Sequence, residues 1–176
     1  MGWGKRNLER VQSNCRSLCK VSFVAVFIPL SFICHADIDG RIVRILDGDT
    51  LEVLSDTGAL TRVRLEGIDA PEKTQPFGQR SRQALTKMTA GKVVHISGNK
   101  HDRYGRLLGT IWYESTDINA VQVKTGMAWA YRYQEKAVIP AYADLEAEAR
   151  KSRTGLWVEP AQVEPWRWRK MQNNDN

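Results

Sequence analysis

Short stretches of alternating apolar and polar residues run through the chain between Ile38 and Tyr113, the pattern typical of β-strands with one buried face. Turn-forming residues such as Ser55-Asp56-Thr57-Gly58 separate them. In the third stretch Leu65 falls on the apolar face and Arg64 on the opposite one. The pattern predicts strands at Ile38–Leu46, Thr50–Leu54, Leu60–Ile68, Val93–Ser97 and Leu107–Tyr113.

Apolar residues at helical spacing lie between and after these strands. They predict helices at Gln79–Met88 and Ile118–Thr125, and a last helix that begins at Pro140 and ends by Gly155. The residues expected to pack back onto the body after it are Leu156, Trp157, Trp166 and Trp168. Five short strands with interposed helices favour a mainly β (α+β) fold, a small five-stranded barrel with about three helices, over a βαβ sheet.

The first 36 residues differ from the rest of the chain. A basic stretch ending at Lys20 precedes 14 uncharged residues, Val21–Cys34, which is short for a membrane span of about 20 residues. This pattern predicts a signal peptide cleaved after Ala36, an exported (periplasmic or secreted) protein, and one domain over residues 37–176. An uncleaved membrane anchor is the alternative, while lipid attachment at Cys34 is disfavoured by the large residues before it.

Charge and cysteine content say little about the partner but exclude several kinds of site. Of the net charge of +6, +4 belongs to residues 1–36, so the remaining 140 residues carry only +2 and their overall basicity does not indicate nucleic-acid binding. All three cysteines lie before residue 37. After that point a disulfide framework, a zinc–thiolate site and a cysteine nucleophile are excluded.

Two acidic turns are the main candidates for chemistry. Asp47-Gly48-Asp49-Thr50 follows the first strand and Asp69-Ala70-Pro71-Glu72 follows the third, so their carboxylates can meet and suit a hard divalent cation. Asp-Gly and Asp-Ala-Pro also form ordinary turns, and for either aspartate alone that structural role is the simpler interpretation. An EF-hand loop starting at Asp47 is excluded, because its fifth and sixth positions would be Leu51 and Glu52.

Other residues near these turns fit phosphate chemistry. Glu72 is a candidate general base or a plain loop carboxylate, and Arg64 and Arg106 offer planar forks suited to phosphate oxygens or are simply solvated. No nucleophile elbow, phosphate-binding glycine loop or His-Glu-x-x-His motif is present. His95 and His101 are too few and too isolated for a zinc site.

Four motifs in order resemble the micrococcal nuclease (thermonuclease) family: DGDT at 47–50, VRLEGIDAPE at 63–72, DRYGR at 102–106 and GLW…PWRWR at 155–169. The resemblance runs from about Ile38 to Lys170. It implies a five-stranded OB-type Greek-key barrel with three helices. It also implies a Ca²⁺-dependent phosphodiesterase that acts on DNA and RNA and leaves 3′-phosphate ends.

The resemblance implies a ligand set for calcium. By matching position, Asp49 and Asp69 would hold the ion with help from the Ala70 carbonyl and nearby Thr50. Asp47 would be an outer carboxylate that does not bind the metal directly.

The resemblance also implies catalytic and substrate-binding roles. Glu72 would orient or deprotonate the attacking water, and Arg64 and Arg106 would neutralise the phosphate, with Arg106 near the leaving 5′-oxygen. The nucleotide would be bound by Tyr104, Tyr131, Tyr133 and Arg103. Aromatic residues beside a basic site favour single-stranded or flexible DNA and RNA. No obligate protein partner is implied, and a monomer is expected.

Two departures from the family pattern and two alternative functions stay open. The loop Lys73–Phe77 is short, and Arg80 and Arg82 make the start of the first helix basic, which is either an extra phosphate contact or a solvated face. A non-catalytic OB module that binds single strands would be expected to lack one of the catalytic residues, and this chain has them all. A phosphatase acting on small nucleotides is the third possibility.

Overall fold

A computed structural model describes residues 37–174, and its core is a closed barrel of five strands. In chain order the strands are β1 (Ile38–Ile45), β2 (Thr50–Ser55), β3 (Leu60–Leu65), β4 (Ile68–Asp69), β5 (Val93–His101), β6 (Leu107–Tyr113), β7 (Thr116–Asp117), β8 (Trp129–Ala130), β9 (Arg132–Tyr133) and β10 (Lys136–Ala137). Antiparallel pairing connects β3, β2, β1, β5 and β6 in that order. Parallel pairing of Val63 with Leu107 and Leu65 with Gly109 then closes the barrel.

Four helices pack around the barrel. They are α1 (Gly78–Thr89), α2 (Ile118–Lys124), α3 (Pro140–Lys151) and α4 (Pro165–Asn174), with a 3₁₀ turn at Gly155–Val158. The Asp117 side chain caps α2 by accepting the Ala120 N–H at 2.9 Å. Pro140 occupies the first turn of α3, where its missing N–H costs nothing.

The apolar faces of the strands enclose one core and the helices build a second. Inward residues of the barrel such as Leu51, Val63 and Ile96 are fully buried and pack with Leu85 of α1 and Val123 of α2. The second core contains Trp129, Ala149, Leu156 and Trp157, with Phe77 and Trp166 packed against it. The rings of Trp129 and Trp157 meet edge to face at 5.1 Å.

The predicted fold class is confirmed, with one-residue shifts at several element ends and three larger differences. The third strand ends at Leu65 instead of Ile68, because Gly67 adopts a φ of 74° and turns the chain into β4. The strand beginning at Val93 continues past Ser97 to His101, through a bulge between Ser97 and Lys100. The tail was expected to pack back onto the body and was not counted among the three helices, and it forms a fourth helix, α4.

One predicted buried residue is replaced by an unexpected one. Apolar spacing predicts that α3 buries Tyr142, Leu145 and Ala149; Tyr142 and Ala149 are buried, but Leu145 is only partly buried and the charged Glu146 is buried instead. The i,i+4 spacing of Glu146 and Arg150 also predicts an ion pair, and the structure confirms it.

The predicted signal peptide, residues 1–36, lies outside the described residues. From residue 37 to 174, none of the helices combines the length and the apolar character needed to cross a membrane.

Candidate active site

The two acidic turns meet beside the barrel and are bonded to each other. Asp49, in the loop between β1 and β2, accepts a hydrogen bond at Oδ2 from the Ala70 N–H of the second turn at 2.8 Å. Its own carbonyl accepts the Leu65 N–H at 2.8 Å. The Thr50 hydroxyl donates to Asp49 Oδ1 at 2.9 Å. Asp49 is therefore fixed by the backbone of the strand and turn that carry the other predicted ligand.

Arg64 bridges the two aspartates. Its position opposite Thr50 in the β2–β3 ladder places the side chain over the first turn. One end of the guanidinium pairs with Asp49 Oδ1, and Nη2 pairs with Asp69 Oδ1 at 2.9 Å. The side chain is only 16% exposed, although period two places it on the outer face of the strand. The carboxylates of Asp49 and Asp69 are thus both oriented toward the guanidinium group of Arg64.

Burial and charge act differently on the three aspartates. Burial alone would raise the pKa of Asp49, but the charge and hydrogen bonds of Arg64, with those of Ala70 and Thr50, lower it below its usual range. Burial raises the pKa of Asp69, and the charge of Asp49 adds to this rise against the opposing hydrogen bond from Arg169. Burial, followed by the charge of Asp49, raises the pKa of Asp47 to about 7. The three aspartates of the two turns therefore outnumber Arg64, the arginine that lies between Asp49 and Asp69.

Glu72 lies on a tight loop just beyond the second turn. Its N–H donates to Gln75 Oε1 at 3.1 Å, and its carbonyl accepts the Gln75 N–H at 2.9 Å. Gln75 is buried and donates through Nε2 to the Val163 carbonyl at 2.6 Å. A Cβ at Gly78 would lie 2.0 Å from the Glu72 carbonyl oxygen, so only glycine allows α1 to start this close to the loop.

Arg106 reaches the site from the hairpin between β5 and β6. Asp102 organises this hairpin by accepting the Tyr104 and Arg106 N–H groups at 2.9 and 3.0 Å, and its other oxygen accepts Arg106 Nε at 2.7 Å. The guanidinium lies 5.4 Å from the centre of the Tyr104 ring, and Nη1 is 3.5 Å from Thr50 Oγ1. Arg106 therefore extends from the hairpin toward the first acidic turn, where its guanidinium lies near Thr50.

One cavity of about 730 Å³ joins these groups. The predicted site residues that line it are Asp47, Asp49, Arg64, Asp69, Ala70, Glu72, Arg103, Tyr104, Arg106 and Tyr131. Thr50 is buried beneath Asp49 and orients it. Tyr133 is not among the lining residues and is 66% exposed at the β9–β10 hairpin. Neither Arg80, which lies over Phe77, nor Arg82, which donates to the Ile45 carbonyl, lines the cavity.

Sequence reasoning missed a third arginine, Arg169 of α4. Its Nη2 donates to Asp69 Oδ2 at 2.8 Å, and its Nη1 donates to Glu72 Oε1 at 2.6 Å and to Asp69 Oδ1 at 3.2 Å. The motif PWRWR contains Arg169, but nothing in it distinguishes this arginine from Arg167, which pairs with Glu164 on the surface. Its place in the site depends on how α4 docks.

The oxygen donors of the site suit calcium. From residue 37 to 174, no group of three or more His, Cys, Asp or Glu side chains is arranged to hold a metal ion. Two buried carboxylates, Asp49 and Asp69, do converge on one side of the cavity, with arginine nitrogens between them. Ca²⁺ takes oxygen ligands in flexible geometry and accepts water for the rest of its shell. The donors therefore fit a weakly held calcium ion that would replace part of the arginine pairing.

Comparison with known proteins gives the class and then the family. A family model described as staphylococcal nuclease homologue matches residues 62–159. The chain is 44% identical over 159 residues to a micrococcal nuclease of Shigella flexneri, covering 85% of this chain and 91% of that protein. It is 48% identical over 148 residues to protein ParB of Escherichia coli (79% and 83% covered). It is 36% identical over 157 residues to an uncharacterized endonuclease of Haemophilus influenzae (89% and 87%).

The barrel, the cavity and these matches together describe an OB-type nuclease. The chain belongs to the staphylococcal nuclease family, which confirms the resemblance seen in its motifs. The matched stretch includes Arg64, Asp69, Glu72 and Arg106, whereas Asp49 and Arg169 lie outside it.

Proposed function

We propose that this nuclease is calcium-dependent and hydrolyses phosphodiester bonds within DNA and RNA, leaving 3′-phosphate ends. The observation that carries the proposal is the convergence of Asp49, Asp69 and Glu72 with Arg64 and Arg106 on one cavity. A binding module needs the arginines but has no use for buried carboxylates that repel a phosphate. The relative named a micrococcal nuclease supports the same activity.

Asp49 and Asp69 would hold the metal, and the Ala70 carbonyl would complete the protein ligands. Calcium, when bound, would neutralise charge on the phosphate and polarise one of its oxygens. Asp47, whose carboxylate accepts the Asp49 N–H at 3.0 Å, would keep the first turn in its ligand-presenting conformation.

Glu72 would act on the attacking water. Its carboxylate is partly exposed at the cavity while its backbone is fixed by Gln75, so it can accept a proton without moving. As the water oxygen bonds to phosphorus, Glu72 would take the water proton, the P–O5′ bond would break with its electron pair going to O5′, and O5′ would take a proton from solvent. This direction of attack leaves the phosphate on the 3′ side.

Arg64 and Arg106 would stabilise the charge that builds on phosphate. Guanidinium groups keep their charge at any physiological pH, and their forks match two phosphate oxygens. Arg64 faces the metal side, while Arg106, on the hairpin, is placed for the leaving 5′-oxygen.

Exposed aromatic residues favour unpaired bases as the substrate. Tyr104 is mostly exposed beside the cavity, with Arg103 lying 4.8 Å from its ring centre, and Tyr131 lines the cavity further along. Bases stack on such rings only when they leave the duplex. We therefore expect single-stranded or flexible DNA and RNA to be cut faster than rigid duplex.

Digestion of nucleic acid with defined metals tests the activity. The protein is incubated with denatured DNA, duplex DNA or RNA in Ca²⁺, Mg²⁺ or chelator, and the ends are identified. We expect internal cleavage with 3′-phosphates in Ca²⁺, less in Mg²⁺, whose octahedral geometry is stricter, and none in chelator. Equal turnover in Mg²⁺ alone would contradict the metal assignment. Binding without cleavage would favour a single-strand-binding module, and action on mononucleotides alone would favour a phosphatase.

Export is a separate part of the proposal, supported by the basic and apolar leader. Mass spectrometry of the protein made in an exporting bacterial host should show an N-terminus at Asp37. A full-length cytoplasmic product as the sole species would refute cleavage and export together. A full-length membrane-bound product would instead indicate the anchor.

A further inference from the structure

Arg169 is the one cavity-lining arginine of α4, and the proposed reaction has no role for it. Its guanidinium contacts both oxygens of Asp69 and one oxygen of Glu72. Those are the predicted metal ligand and the predicted base. An arginine placed there covers the two groups on which the reaction depends.

The contact is built into the fold by the segment that precedes it. Pro165 is buried at the start of α4, and Trp166 packs against the core formed around Trp129 and Trp157. The Val163 carbonyl accepts a hydrogen bond from buried Gln75, which also fixes the Glu72 loop. The Glu72 loop and the start of α4 are thus tied to each other, and Arg169 follows one turn later.

Asp69 has little free capacity for a metal while Arg169 is in place. Its Oδ1 accepts from Arg64 and Arg169, and its Oδ2 accepts from Arg169. A cation that binds Asp69 must take over at least one of these oxygens. The Arg169 side chain is 43% exposed at the end of a flexible stem, whereas Arg64 is enclosed, so Arg169 is the group that can leave.

Charge balance leads to the same conclusion. The carboxylates of Asp49, Asp69 and Glu72 face two guanidiniums, which leaves one negative charge. Adding a divalent cation would make this cluster positive before any substrate arrives. Moving Arg169 away restores neutrality with the metal bound.

We propose that Arg169 is a displaceable internal counter-ion that covers Glu72, competes with the divalent cation for Asp69 and so sets the calcium concentration at which the site fills. This inference rests on the proposed metal dependence. Arg169 acts by occupying the site, and it takes no part in the bond-making step.

The test is calcium binding by the full chain without nucleic acid. Arg169→Met keeps the length of the stem and removes the cation. Titration calorimetry should then show calcium binding about 5- to 150-fold tighter than in the wild type, the usual range for coupling between two binding events. The calcium concentration for half-maximal cleavage should fall in the same direction.

Arg167→Met is the matched control. It removes the same net charge from the same helix, but Arg167 is 70% exposed, and within residues 37–174 its ion pair is with Glu164. Its calcium affinity should equal that of the wild type. Tightening as large as that of Arg169→Met would reduce the effect to overall charge and overturn the inference.

Further outcomes separate this inference from the proposed function. If the wild type binds calcium and folded Arg169→Met binds it equally or more weakly, Arg169 only fastens α4, and this inference alone fails. If neither protein binds calcium, the metal dependence fails and this inference fails with it. If Arg169→Met strongly lowers the unfolding temperature, Arg169→Lys is tested in its place. The ammonium group of that variant is a point charge that cannot contact Asp69 and Glu72 together, so calcium should again bind more tightly than in the wild type.

Discussion

Two ion-pair clusters beside β4 and β8 each place a buried carboxylate against two arginines, and only the first of these two opens onto the cavity. In the first, Asp49, Asp69 and Glu72 meet Arg64 and Arg169. In the second, Glu146 of α3 meets Arg132 and Arg150, and its oxygens also accept the Ala130 N–H at 2.9 Å. Glu146 is 1% exposed and absent from the cavity lining, so no substrate can reach it.

The difference lies in charge balance and in access. The single Glu146 carboxylate faces two arginines, and both of its oxygens accept hydrogen bonds, so its role is structural. Glu146 accepts the Ala130 N–H of β8, and β8 pairs with β4, where Ala130 lies opposite Ile68 and Trp129 lies opposite Asp69. The first cluster has more carboxylates than cations and faces solvent. A cluster of ion pairs is thus a candidate site when its carboxylates outnumber its arginines and the cluster faces a cavity open to solvent.

Glu72→Gln should have the largest effect on activity. It removes a base and leaves the loop bonds made by the Glu72 backbone, so single-turnover rates should fall by about 10²- to 10⁴-fold. Binding titrations should show that nucleotide and calcium still bind. Near-normal rates would make Glu72 an ordinary loop carboxylate and would require another base for the water.

Arg106→Lys tests whether Arg106 binds the phosphate, a role different from that of Glu72 as the general base. Lysine keeps a charge but loses the fork held by Asp102 and the contact with the Tyr104 ring. The rate should fall by about 10²-fold, as for loss of one transition-state donor. Unlike Glu72→Gln, this change should also weaken binding of a nucleoside 3′,5′-bisphosphate, measured by calorimetry. Unchanged binding of that ligand would place Arg106 away from the phosphate.

Glu146→Gln tests the other cluster. It leaves Arg132 and Arg150 without their counter-charge, so the free energy of unfolding in urea should fall by about 3 kcal/mol. The turnover number well below the unfolding temperature should be largely kept, because no reacting group is lost. A large loss of rate at unchanged stability would contradict this comparison, because Glu146 would then contribute to catalysis.

Arg150→Ala should have the smallest effect. The arginine is 48% exposed, and its guanidinium lies 3.6 Å from the centre of the Trp157 ring. Glu146 keeps Arg132 as its counter-charge when Arg150 is removed, and a half-exposed arginine contributes under about 1 kcal/mol through each of its ion pair and its cation–π contact. Urea unfolding should show a loss of about 1 kcal/mol, well below that of Glu146→Gln. An equal loss would mean that Arg150, and not Arg132, carries the stability of the cluster.

The barrel was predictable because its signals are local. Alternation along β1 to β3 and the turn residues between them determine which faces are buried, and the positions of α1, α2 and α3 follow from apolar spacing and from Pro140. The convergence of the two acidic turns also followed from strand order. These features depend on residues close together in the sequence.

The unpredicted features all depend on distant partners. Glu146 can be buried because Arg132 and the Ala130 N–H donate hydrogen bonds to its carboxylate. The periodicity of α3 does not show that a charged residue of this helix has such partners. The helix α4 carries tryptophans and arginines in alternation, which is not a helical apolar stripe. Arg169 reaches Asp69 across 100 residues of sequence, so its role became visible only once the fold placed them together.

The parallel pairing of β3 with β6 has a consequence for the order in which the molecule is made. Asp49, Asp69 and Glu72 are all synthesised by residue 72, but Arg106 can meet Thr50 only after Leu107–Gly109 exists to pair with Val63–Leu65. Pairing between such distant segments is slow to form. A chain interrupted before β6 therefore carries Asp49, Asp69 and Glu72 but no closed barrel to align them. The two acidic turns are thus complete well before the barrel can close, which requires that more than half of the chain has been synthesised.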